Sequence, residues 1–125
     1  MKVNTGKTQL LCITDNRTNS AVQSYIKHGP EKIVSGNELK ILGFVFGTSP
    51  TVRPHVEYML KKARRRLWTL RHVKRAGLGQ SDLLRTFNTL IRPTLEYAAP
   101  TYHPMLTAEL RDRIEYIQKL SLIHI

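Results

Sequence analysis

Side chains able to do chemistry are unevenly spread along these 125 residues. The densest group is Lys61, Lys62, Arg64, Arg65, Arg66, Arg71, Lys74 and Arg75, with Trp68 and His72 set among them. Arginine forks match phosphate oxygens, and each neutralised phosphate releases condensed counterions, so such a group suits a polyphosphate partner. Lys61, Arg65, Trp68, His72 and Arg75 follow at spacings of four and three, which places them on one helical face. An aromatic plane among cations on that face suits contact with sugars or bases. The plainer reading of the same run is a solvated helix surface whose tryptophan covers the edge of a core.

Catalytic patterns are scarce by comparison. The chain has no GxxxxGK[ST], GxSxG or HExxH pattern, and its five histidines (His28, His55, His72, His103 and His124) are too dispersed to suggest a metal site. Its nine acids are also scattered, so no carboxylate pair for two metal ions is visible. Glu96 is the one acid in a mostly apolar run, and a bond to Arg92 accounts for it. Cys12 is the single cysteine, which excludes an internal disulfide and reads as a buried, inert thiol in a strand.

Composition sets the class of partner. Twenty Lys and Arg stand against nine Asp and Glu, a formal net charge of +11, which favours nucleic acid over a small neutral substrate. A membrane surface is the competing anion. No run reaches the roughly 18 apolar residues a spanning helix needs, and the opening residues lack a secretory signal, so an intracellular, non-membrane chain is expected. The length suits one domain or a piece of a larger one.

The elements that must position the cationic face follow from periodicity. Val56, Leu60, Ala63, Leu67 and Leu70 form a stripe at helical spacing, so residues 53–75 read as an amphipathic helix beginning near Pro54 and stopping near Gly77. Like charges four apart on this helix (Lys61/Arg65, Lys62/Arg66, Arg71/Arg75) each cost about 0.2–0.5 kcal/mol, which an anionic partner offsets. Ser81 reads as the N-cap of a second helix, which Pro93 must distort or end near Thr89 to Ile91. Residues 94–104 read as a short helical turn and a packed irregular segment. Thr107 then caps a last helix with Leu110, Ile114, Ile117 and Ser121 on its inner face. Ahead of these, residues 9–13 and Leu39 to Phe46 read as apolar strands, the latter a single strand around Gly43. Asn16 and Asn19 read as turn formers, Ala21 to Ile26 and Lys32 to Val34 as short strand pieces, and His28-Gly29-Pro30 and Ser35-Gly36-Asn37 as breaks. The expected fold is α+β, with a small antiparallel β region over residues 1–50 and a bundle of about three helices over 51–125.

Three ordered segments carry a family resemblance: VNTGKTQLL at residues 3–11, LKILGFVF at 39–46 and IRPTLEYAAPTYHP at 91–104. The set resembles the reverse transcriptase of LINE-type, non-LTR retrotransposons, and the segment from Glu115 to Lys119 is similar to the family's ending. The resemblance implies a fragment of an RNA-directed DNA polymerase comprising the end of the palm, the primer grip and the thumb. It implies that Leu42 and Gly43 contribute to the primer grip, and that Lys7 stands where family polymerases place a lysine proposed to protonate the leaving pyrophosphate. The cationic helix would follow the primer-template duplex, an RNA–DNA hybrid or duplex DNA. The paired aspartates that hold Mg2+ in the complete polymerase would lie upstream, so this fragment needs no cofactor of its own and is not catalytic alone. Its other partners would be those upstream polymerase domains, in the nucleus or a cytoplasmic ribonucleoprotein. Tyr102 departs from the family's usual tryptophan, and fills that place with a ring whose hydroxyl can also bond.

Physics and resemblance agree on how such a fragment holds its ligand. A polymerase must grip every sequence equally, which calls for backbone contacts in place of base-edge readout. The alternatives are a stand-alone basic nucleic-acid-binding module, such as a domesticated retroelement remnant, and a relic that does not fold.

Overall fold

The computed structural model describes residues 4–15, 24–123 and 125; Val3, Asn16, Asn19, Ala21 to Gln23 and His124 lie outside that set. The chain is α+β, and divides into two compact units, Met1–Pro54 and His55–Ile125.

In the first unit a single 3₁₀ turn, Thr5–Lys7, leads to β1 (Leu10–Leu11). The strand expected over residues 9–13 is reduced to those two residues, and Cys12 follows it, only half-buried. Strands β2 (Tyr25–His28) and β3 (Glu31–Gly36) form an antiparallel hairpin, closed at Gly29 with φ +63. β1 joins the other edge of β3 in parallel, Leu10 opposite Ser35, so this region is not purely antiparallel.

The segment from Leu39 to Phe46 corrects the expectation of one strand. It turns back on itself as β4 (Glu38–Ile41) and β5 (Phe44–Gly47), pairing Ile41 with Phe44 and Leu39 with Phe46. Leu42 and Gly43 form the two-residue turn, with φ of +49 and +87. Positive φ at both central residues gives the twist that matches right-handed strands. Glycine adopts it freely, whereas leucine is strained there by about 1–2 kcal/mol. An apolar run hides this turn because neither residue before the glycine is a usual turn former. At the far end of β5, a Cβ on Gly47 would stand 2.6 Å from Pro54 Cγ, so glycine permits that close approach.

The second unit is helical. α1 (Arg53–Arg75) buries Val56, Leu60, Ala63, Leu67 and Leu70, as the stripe predicts, and adds His55 and Met59. Each such leucine contributes about 1.5–3 kcal/mol by leaving water. A glycine cap stops the helix: Gly77 takes φ +92, its N–H donates to Lys74 O, and Leu78 N–H donates to Val73 O.

The next rod runs from residue 80 to 96 in three parts: α2 (Gln80–Thr86), a π-helical turn (Phe87–Ile91) and α3 (Arg92–Glu96). Gly79 is its N-cap, two residues earlier than expected, and Ser81 lies inside the helix. Pro93 explains the π turn. It has no N–H for the carbonyl of Thr89 and its ring would clash there, so the chain widens and Arg92 N–H reaches back five residues to Phe87 O. Leu83, Phe87, Ile91 and Leu95 are buried along the rod.

Ala98, at φ +57, ends α3 and starts α4 (Ala99–Tyr102), and a 3₁₀ turn (His103–Met105) leads on to α5 (Ala108–Ile123). The irregular segment expected here is therefore mostly helical turns. Tyr102 is buried, and its hydroxyl donates to Leu95 O, satisfying a carbonyl that α3 leaves open at its end. Its ring lies 5.5 Å from that of His55, tying α1 to α4. Thr107 Oγ1 accepts from Leu110 N–H at 3.4 Å, and Leu110, Ile117 and Ser121 are buried, with Ile114 half-buried.

Candidate nucleic-acid interface

α1 fixes the geometry of the cationic group. At about 100° per residue, Lys61, Arg64, Arg65, Trp68, Arg71, His72 and Arg75 fall within an arc of roughly 120° opposite and beside the buried stripe. All seven are exposed. Lys61 and Arg75 mark the ends of a face about 21 Å long at 1.5 Å per residue. Lys62 lies on the other flank, and Lys74 lies beyond the stripe in the last turn.

The charges on this face are not neutralised from within. Among the described residues, Lys61, Lys62, Arg64, Arg65, Arg71, Lys74 and Arg75 take part in no ion pair. Glu57 is the only acid of α1, and Arg113 of α5 stands 3.5 Å from it. Arg92 pairs with Glu96 at 2.6 Å, as the sequence predicts. Elongated, exposed and uncompensated positive charge is what a nucleic-acid backbone requires.

Arg66 is a correction. The sequence groups it with the phosphate-binding cations, but its guanidinium turns to the second helical rod and donates to Leu90 O and Thr94 Oγ1. Thr94 Oγ1 in turn donates to Leu90 O at 2.8 Å, closing a three-membered network at the π turn. The arginine is half-buried and Thr94 is buried. At about 100° per residue Arg66 falls beside Met59 and Leu70 on the buried side of α1, and that position is the signal in the sequence for this role.

Trp68 and His72 are brought together closely. Their ring centroids are 3.7 Å apart and the planes are inclined by 36°. His72 Nδ1 lies 3.2 Å from Trp68 O; since a carbonyl only accepts, Nδ1 carries the proton of this bond. Trp68 is nonetheless 61% exposed, so it is not plugging a core.

The remaining predicted residues belong to the first unit. Lys7 is exposed and sits in the 3₁₀ turn, three residues ahead of β1 rather than at a strand start. Leu42 is 90% exposed at the tip of the β4–β5 hairpin, beside Gly43. Two buried groups titrate abnormally without belonging to the cationic face. Burial lowers the His55 pKa, because the charged imidazolium loses hydration. Burial raises the Tyr102 pKa, and the Glu96 carboxylate raises it further.

Among the described residues no group of three or more His, Cys, Asp or Glu could hold a metal ion, and no helix is long and apolar enough to cross a membrane. No protein-family model, curated protein or solved structure matches the chain.

Proposed function

We propose that this chain binds nucleic acid without regard to sequence, as the palm end and thumb of a LINE-type reverse transcriptase. The observation that carries the binding is the exposed face of α1, where Lys61, Arg64, Arg65, Arg71 and Arg75 are free of ion pairs among the described residues. The assignment to a reverse transcriptase rests on the ordered motifs, and on them alone. In this reading the helix runs along the sugar-phosphate surface of an RNA–DNA hybrid or duplex DNA, and the Leu42-Gly43 turn serves as the primer grip. Lys7 takes the role of the leaving-group lysine only in the complete polymerase, whose Mg2+-holding aspartates belong to an upstream segment. The fragment therefore contributes grip and not chemistry.

Fluorescence anisotropy titrations against duplexes and hybrids of several sequences, at 50 to 300 mM salt, test the binding. With five phosphate contacts, log K falls against log salt with a slope near −4.5, and the slope is the same for every sequence. A slope near zero, or affinity confined to one sequence, would refute the reading.

A further inference from the structure

We infer that Trp68, backed by His72, is a stacking platform for an unpaired base, so that the cationic face takes single-stranded or junction nucleic acid in preference to uninterrupted duplex. This rests on the nucleic-acid reading of α1 and adds the class of ligand. The inner side of α1 is filled without Trp68, since Val56, Met59, Leu60, Ala63, Leu67 and Leu70 are all buried. The indole instead stands 61% exposed, although tryptophan is among the side chains that gain most by leaving water.

The ring is also held in place. His72 lies against it at 3.7 Å between centroids, and the imidazole is itself fixed by its bond to Trp68 O at 3.2 Å. Little rotamer freedom remains to be lost when a base arrives, which favours binding. Phosphate ligands flank the platform on the same face: Arg64 and Arg65 one turn before it and Arg71 and Arg75 one and two turns after it. A base laid on the indole thus has cations on both sides for its neighbouring phosphates. Within a continuous duplex the base faces are already stacked on each other, and only an unpaired or terminal base offers its face to an aromatic ring.

Trp68 is the chain's only tryptophan, so its fluorescence reports on this site alone. The full chain is titrated at fixed salt with labelled single-stranded oligothymidylate, with a labelled abasic oligomer carrying the same number of phosphates, and with labelled covalently closed duplex, affinity being read from the anisotropy of the label and stacking from the indole. The single strand should quench the indole. The abasic oligomer should bind about 5- to 150-fold more weakly without quenching, and the closed duplex should bind without quenching. Trp68→Ala should bring single-strand affinity down to the abasic level with the salt slope unchanged, while Trp68→Phe retains most of it. Equal affinity and equal quenching for abasic and base-bearing strands, or an unaffected Trp68→Ala variant, would overturn the platform while leaving phosphate binding intact. Quenching by the closed duplex equal to that by the single strand would overturn the preference for an unpaired base. Failure of every strand to bind, the abasic one included, would overturn the nucleic-acid reading and the platform with it.

Discussion

Replacing Arg66 by alanine separates the two kinds of arginine on α1. Arg66 donates to Leu90 O and to Thr94 Oγ1, and the second partner is buried. A charge-assisted hydrogen bond contributes about 1.5–3 kcal/mol when sheltered, and the bond at the more exposed Leu90 carbonyl adds less, so Arg66→Ala should cost about 2–3 kcal/mol. For a helical unit of this size each kcal/mol shifts Tm by about 4–8 °C, giving a fall of about 8–24 °C. Arg65→Ala and Arg71→Ala remove exposed side chains with no ion pair, and should change stability by no more than about 0.5 kcal/mol. The binding data should divide the other way. Each exposed arginine removed should reduce the salt slope by about 0.9, while Arg66→Ala, measured well below its Tm, should leave the slope unchanged. Thermal unfolding by circular dichroism and salt-dependent anisotropy on the same three variants decide the matter. An Arg66→Ala variant with wild-type Tm and a shallower slope would refute the assignment of Arg66 to the π turn.

Two further predictions concern the β region and the buried ring pair. Leu42→Asn should stabilise the first unit by about 1 kcal/mol, because asparagine accepts the positive φ that strains leucine and the exposed side chain loses little packing; a lower unfolding midpoint in urea would count against this geometry. His55 has a lowered pKa when folded, so between that value and the ordinary 6.5 the unfolded chain binds the extra proton. Its contribution is complete above about pH 6.5 and is lost as pH falls below it. Urea unfolding from pH 7.5 to 5 should show this loss in the wild type and a flatter profile in His55→Phe; equal profiles would show that burial of His55 does not govern acid sensitivity.

What the amino-acid sequence determined alone was whatever depends on near neighbours. The 3.6-residue stripe from Val56 to Leu70 set the register of α1, and with it the shared face of Lys61, Arg65, Trp68, His72 and Arg75. Gly77 set the end of that helix, Thr107 the start of the last one, and Pro93 the site of a distortion, since these rest on local φ preferences and on a missing donor. Tertiary structure decided the rest. Leu39 to Phe46 carries too uniform an apolar pattern to reveal a fold-back, and only pairing of Ile41 with Phe44 makes the strained Leu42 worthwhile. Arg66 stands about 100° round α1 from Arg65, on the side of Met59 and Leu70, but the partners it finds there lie in a distant segment. A carbonyl and a hydroxyl 24 and 28 residues away draw one guanidinium inward and leave the other in solvent, because side-chain role is set by which polar groups lie within reach.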